Sequence, residues 1–354
     1  MSLTLTVDGT RWRSHLETVA DANPGIVPVA KGNGYGFTVG RLARKTQWLA
    51  DRGHDVTALA VGTYGEIAEV ATRWEGDIVV LTPWRPFIEP LDPALAKRVI
   101  HTVSRLVDLD ELLTASPQAR IVLERTTSMR RHGMEGRELW EAGEVLRRHP
   151  GARLEGVALH LPLQQGNHLG EVSRLLTDAI AADCGIDTVW VSHLTGAELT
   201  TLREQYGDFT IRPRIGTQLW LGDRGALHVT ATVLDVHPVE KGDSFGYRAR
   251  TAPKSGHLLV VSGGTAHGIG LEAPTGESSI KARAATLARG GLDAVGFVRS
   301  PYSIDGKQRL FAEPPHMQAS MLFLPHGARV PAVGDMIDVR VRYTATAFDK
   351  IVIA

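Results

Sequence analysis

Cysteine is almost absent. The single one, Cys184, cannot close an intramolecular disulfide, so nothing points to an oxidising compartment. The ordinary role for such a residue is a small buried apolar one. Charge of one sign is lacking too. Lys+Arg and Asp+Glu both number 39, and this zero balance gives no electrostatic basis for a nucleic-acid or anionic-membrane partner. No stretch reaches about 18 consecutive apolar residues, so no membrane-spanning helix is expected. The opening stretch MSLTLTVDGTRWRSH carries charge early and has no long apolar run, unlike a signal peptide. The cytoplasm is the expected compartment. There is no Cys pair, no HExxH and no P-loop, so zinc and nucleotide readings lack support. SGGTAHGIG is rich in glycine but follows no dinucleotide-binding pattern.

What is present is an ordinary soluble composition, 43% hydrophobic and 22% charged, over a chain long enough for two domains. The first ten residues alternate as a short strand. Short apolar runs follow at Ile26–Ala30, Val56–Val61, Asp77–Leu81, Arg98–Thr102, Arg120–Leu123, Glu155–His160, Thr188–Ser192 and Phe209–Pro213. Between them lie segments of helical spacing, such as Val39–Asp51, Tyr64–Trp74, Glu138–Arg148 and Gly170–Ala181, with only a short one at Val107–Thr114. Eight such alternations predict a parallel (β/α)8 barrel of the TIM type. Near residue 225 the pattern changes. LHVTATVLDV, GHLLVVS, AVGFVRS, ASMLFLP and MIDVRVRYTATAF are β-type runs broken by Gly, Pro and Asp, with one candidate helix at Ser279–Leu287. The expected organisation is a barrel over residues 11–225 and a mostly β domain over 226–354, with residues 1–10 as an N-terminal strand that joins the β domain.

The segment PVAKGNGYGF, residues 28–37, places Lys31 at the C-terminal end of the first barrel strand, before a turn with Gly32, Gly34 and Gly36. That end is the active-site face of such barrels. Lysine suits Schiff-base chemistry there, because partial desolvation lowers its pKa and frees the amine. By position alone, Lys31 also reads as a surface lysine before a flexible turn, Tyr247 as a core tyrosine, and His160 as a hydrogen-bonded strand end.

PVAKGNGYGF resembles the cofactor-lysine signature of the alanine racemase family, commonly VVKANAYGHG. IVLERTTSMRRHGM, residues 121–134, resembles that family's HLKVDTGMGRLG without a gap, with Met129 and Gly133 in frame. The resemblance implies a fold-type III pyridoxal-phosphate enzyme, a barrel followed by a β domain. It implies that Lys31 carries pyridoxal 5'-phosphate and Tyr35 bonds its phosphate. It implies further that Arg131 contacts the phenolate oxygen and the substrate side, and that Arg214, in RPRIG, lies beneath the cofactor ring bonded to His160. Thr195, Gly216 and Thr217 match phosphate-binding positions, although Thr195 also reads as a helix N-cap. Two-base racemisation needs an acid–base group on each face of the substrate carbon. Lys31 implies one. KGDSFGYRART matches the family's GEPVGYGGT and makes Tyr247 of a partner subunit the other, with Phe245 a match only in a shifted frame. The implied assembly is a homodimer with shared sites, acting on a small amino acid.

The match departs at several places. Glu124 stands where the family has a lysine that is often carbamylated, and supplies a negative charge near Arg131. Thr265 and His267 stand where it has Tyr and Asp, and His267 fits either a substrate contact or a plain loop residue. Met317 or Met321 fits the methionine whose amide meets the substrate carboxylate, with His316 nearby. Phe348 falls where a tyrosine binds phosphate, a bond phenylalanine cannot make. The substrate preference is therefore open. Another fold-type III reaction, such as an amino-acid aldolase or decarboxylase, or a catalytically altered homologue, is the alternative.

Overall fold

The structure is a computed structural model that describes residues 2–163, 166–271 and 298–354. The candidate helix Ser279–Leu287 and the first part of AVGFVRS lie outside the described residues. The chain divides into two compact units, Arg13–Gly222 and a second formed by Met1–Trp12 with Asp223–Ala354.

After a first strand, β1 (Leu3–Val7), come β2 (Val27–Ala30), β3 (Ala58–Val61), β4 (Asp77–Val80), β5 (Val99–Val103), β6 (Arg120–Arg125), β7 (Arg153–His160), β8 (Thr188–Ser192) and β9 (Thr210–Ile215). These last eight form a closed parallel barrel, sealed where Val27 of β2 pairs with Arg214 of β9. The eight apolar runs fall on the eight strands, within a few residues at each end. The connecting helices are α1 (Gly9–Ala22), α2 (Val39–Asp51), α3 (Ile67–Ala71), α4 (Pro93–Ala96), α5 (Leu106–Ala115), α6 (Gly136–Arg148), α7 (His168–Ala181), α8 (Gly196–Gln205) and α9 (Thr217–Leu221). The Tyr64–Trp74 segment is a 3-10 turn at Tyr64–Glu66 followed by the short α3. No helix among the described residues is long and apolar enough to cross a membrane.

Barrel strands bury both faces, which explains their near-continuous apolar character. Outward residues such as Ile121 and Leu123 pack with Leu109, Leu112 and Leu139 of the surrounding helices. Inward residues Val29, Ala60, Val79, Ile100, Val122, Ala158 and Trp190 form a separate apolar floor. Cys184 packs against the outer cluster, and burial raises its thiol pKa, which fits an inert residue.

The other unit contains β10 (Leu227–Val239), β11 (Ser244–Phe245), β12 (Arg250–Thr251), β13 (Gly256–Ser262), β14 (Arg299–Ile304), β15 (Lys307–Phe311), β16 (Ala319–Pro325), β17 (Met336–Val339) and β18 (Lys350–Ile353). β10 is long enough to serve two neighbours. Its first half pairs with β1 and β17, and its second half, past a register shift between Val233 and Asp235, pairs with β13. The ladder β10–β13–β16–β15–β14–β17 thereby returns to β10, a closure that leaves few free edges. One expectation needs correction. The run MIDVRVRYTATAF is a strand only to Val339. Beyond it, Ala345 N–H bonds back to Arg342 O and the Thr346 hydroxyl to the same carbonyl, so the chain turns instead of extending.

Candidate active site

Side chains alternate across a strand, so the residue two positions beyond each floor residue also faces the barrel axis. Counting on from Val29, Val122, Ala158 and Trp190 gives Lys31, Glu124, His160 and Ser192. Arg212 lies over the Trp190 ring at 5.3 Å, which puts Arg214 in the same upper layer. The barrel thus has an apolar floor and a polar mouth at the C-terminal ends of its strands.

Lys31 follows β2 and is exposed toward the mouth. Its loop is held from the next repeat. Glu66 accepts the Gly32 N–H at 2.7 Å through one oxygen, and the N–H groups of Gly62 (2.6 Å) and Thr63 (3.1 Å) through the other. Desolvation lowers the Lys31 pKa, and the Arg131 and Arg214 charges lower it further, while Glu66 opposes them. This favours the free amine that nucleophilic and base chemistry needs.

Tyr35 turns back with φ 54° and is buried, which pushes its phenol up to about 12. Its hydroxyl lies where a side chain on Gly216 would begin: a Cβ built there would be 2.1 Å from it. Gly216 is therefore required by the approach of Tyr35. Thr217, exposed, follows as the first residue of α9. Thr195 caps α8, its hydroxyl accepting the Glu198 N–H at 3.2 Å and donating to the Glu198 carboxylate at 2.8 Å. The helix-cap role is the one its hydroxyl fills here.

Arg214 is buried. Its Nη2 donates to Leu159 O (3.0 Å) and Ser192 Oγ (3.1 Å), while its Nε has no partner. Burial lowers its pKa to about 10, opposed by Glu124, so it remains a cation at neutral pH. His160 Nδ1 lies 2.9 Å from the same Ser192 hydroxyl. The resemblance implied a direct bond between His160 and Arg214; here they meet through Ser192. Burial, then the Arg214 and Arg131 charges, depress His160 to about 3, so the ring is neutral. The hydroxyl can then accept from Arg214 and donate to His160. His193, at φ 66°, sets its ring edge-on to His160 at 5.1 Å and is likewise lowered by burial and by Arg214.

Glu124 is buried with Oε2 unpaired, and burial raises its pKa against the Arg214, Arg131 and Arg85 charges. Arg131 is exposed on the finger after β6. Backbone bonds from Met134 N to Glu124 O and from Thr126 N to Met134 O close that finger, and Thr127 Oγ1 ties it to His160 O. The Arg131 charge acts on Lys31, Glu124, His160 and Arg214 alike, so it belongs to the same cluster. Ser192, His193 and Glu66 are the members that sequence reasoning missed. Ser192 ends the seventh barrel run and His193 follows it, so both were legible in principle.

The other candidates sit in the β unit. Tyr247 is 86% exposed at the tip of the β11–β12 hairpin, whereas Phe245 packs against a small core containing Val239 and Leu258. Met317 is exposed, and its carbonyl accepts the Ala266 N–H, while His316 O accepts that of Thr265. Met321 lies within β16, paired with Val260. His267 is buried, its Nδ1 accepting the Gly264 N–H (3.2 Å) and its Nε2 facing Asp349 (3.0 Å), so both ring nitrogens serve the loop. Phe348 stacks obliquely on Tyr343 at 6.2 Å.

The model of the alanine racemase N-terminal domain matches residues 8–211. An alanine racemase of Nitratidesulfovibrio vulgaris is 27% identical over 274 residues, 72% of each chain. Among solved structures, the alanine racemase of Bartonella henselae with covalently bound pyridoxal phosphate aligns at TM-score 0.72 and 15% identity, covering 100% of both chains. That of D-cycloserine-producing Streptomyces lavendulae aligns at 0.69 and 19%, covering 100% of this chain and 97% of the other. The barrel, its polar mouth and the matched span together place this chain in the alanine racemase family.

Proposed function

We propose that the protein is a pyridoxal-phosphate-dependent amino-acid racemase, interconverting L- and D-alanine or a related small amino acid with two bases. The observation that carries this reading is the layer at the barrel mouth: a lysine whose charge is disfavoured, beside a buried arginine whose Nε lacks a partner. The residues fit the cofactor. Gly216, bare of a side chain, lets the Tyr35 hydroxyl reach the start of α9, and the unpaired Arg214 Nε calls for an acceptor inside the barrel. Lys31 would hold the group, with Tyr35, Thr195, Gly216 and Thr217 around its phosphate and Arg131, His160 and Arg214 around its ring. When bound, pyridoxal phosphate supplies an electron sink for the pair left at the substrate Cα.

Arg214 offers donors and can accept no proton, so it favours an unprotonated acceptor opposite it. Such a sink is weak, which suits rapid return of the proton over longer-lived carbanion chemistry. The Lys31 amine moves the Cα proton on one face, acting on the D-substrate. Tyr247 of a second copy moves it on the other, acting on the L-substrate. Arg131 and the backbone at Met317 orient the substrate. Incubation of the protein and pyridoxal phosphate with L-alanine in deuterated buffer is expected to give α-deuterated D-alanine. Cofactor uptake without exchange on any amino acid of a panel would overturn the racemase reading.

A further inference from the structure

The β11–β12 hairpin tip, Gly246–Ala249, carries Tyr247 almost fully into solvent, and a two-residue ladder does not by itself fix such a tip. The tip is nevertheless tied down from one side. Glu313, 3% exposed, accepts the Tyr247 N–H at 3.0 Å through Oε2 and meets His316 Nε2 at 2.6 Å through Oε1. The His316 ring in turn lies 4.6 Å from the Tyr247 ring, tilted by 57°. Arg250 Nη1 donates to Ala312 O at 3.0 Å and clamps the returning strand to the same segment. Gly246, at φ +70°, permits this: a Cβ there would be 2.2 Å from Glu313 Oε2. A buried carboxylate is stable only with such partners, so Glu313 is committed to both the tyrosine backbone and the histidine. His316 is itself anchored, its N–H bonding to Ala319 O and its carbonyl accepting from Thr265.

We propose that Glu313 and His316 form a positioning pair that holds the Tyr247 hairpin and ring in the pose needed for proton transfer. The inference rests on Tyr247 being the base for the L-substrate. Lys31 needs neither residue, and this sets a signature that general damage to the fold does not share. Losing the pair disables one face only. Racemisation falls in both directions, because the equilibrium between enantiomers is fixed. D-alanine still exchanges its α-proton through Lys31 without inverting, while L-alanine does not exchange.

The test compares Tyr247→Phe, His316→Ala, Glu313→Leu and Glu313→Gln, the last retaining an acceptor for the Tyr247 N–H. Exchange of L- and D-alanine in deuterated buffer is followed with pyridoxal phosphate present. Backbone hydrogen exchange at residues 244–251 is followed without cofactor or substrate. His316→Ala and Glu313→Leu are expected to slow L-alanine exchange by roughly tenfold or more relative to D-alanine. Glu313→Leu should raise exchange of the Tyr247 amide by roughly tenfold. Glu313→Gln should restore much of both. Retained L-exchange in Tyr247→Phe would remove the base assignment itself. Lost L-exchange in Tyr247→Phe, with His316→Ala and Glu313→Leu unchanged in both readouts, would overturn the positioning pair alone.

Discussion

Glu66 bridges two barrel repeats beneath Lys31, and replacing it by glutamine tests whether the mouth is built as described. The carboxylate accepts three backbone N–H groups through two oxygens, at 2.7, 2.6 and 3.1 Å. A glutamine has one acceptor atom and points an NH2 at the remaining amides. Either the Gly32 bond or the Gly62 and Thr63 pair is lost. Hydrogen bonds to a charged acceptor contribute about 1.5–3 kcal/mol each, so whichever loop loses its bond should loosen by at least about 1.5–3 kcal/mol, roughly tenfold to a hundredfold in its open population. The charge also matters. Glu66 holds the Lys31 pKa up, while Arg131 holds it down. Removing Glu66 should move the pH profile of Lys31 reactivity to lower pH, and Arg131→Gln should move it to higher pH. The assay is the rate of pyridoxal-phosphate incorporation trapped by borohydride across a pH series, with hydrogen exchange at Gly32, Gly62 and Thr63. Shifts of the same sign in the two variants, or unchanged Gly32, Gly62 and Thr63 amides together in Glu66→Gln, would refute this reasoning.

His101, buried against the Tyr64 hydroxyl at 2.9 Å, is depressed to about 4 by burial. Between that value and the ordinary 6.5 the unfolded chain binds the extra proton, so stability is full above pH 6.5 and falls as the pH drops; from pH 7 to 4.5 this amounts to roughly 2 kcal/mol. Urea unfolding at both pH values should show that much less acid loss in His101→Asn, and equal losses would contradict the burial account. Gly216→Ala should displace Tyr35, cost about 1–3 kcal/mol of overpacking and weaken pyridoxal-phosphate binding, as titration by absorbance would show. Unaltered affinity would mean that the Tyr35–Gly216 contact does not shape the site.

The barrel was legible because its signal is local: eight apolar runs, each bounded by helical spacing. Lys31 was legible for the same reason, standing one residue past a strand and before a glycine turn, and the inward positions Glu124, His160 and Arg214 follow from period-two counting. Glu66 left no trace because its partners are backbone amides of other segments. Glu313 was invisible for a related reason. It lies 66 residues from Tyr247, and its buried state depends on the closure of the β ladder, which no local pattern encodes. His267 shows the converse. A histidine in a glycine-rich loop reads as a candidate contact, and only the fold reveals that Gly264 and Asp349 occupy both its nitrogens. The stretch after Val339 misled because its alternating apolar residues mimic a strand while Arg342, Ala345 and Thr346 close a turn.

The central claim is that Lys31 is the residue that takes the cofactor. Protein incubated with pyridoxal phosphate, reduced with borohydride and digested should carry the pyridoxyl mass on the peptide containing Lys31, and Lys31→Ala should carry none and lose the visible absorbance of the bound cofactor. The mass on another lysine, or equal labelling of the two proteins, would contradict the account.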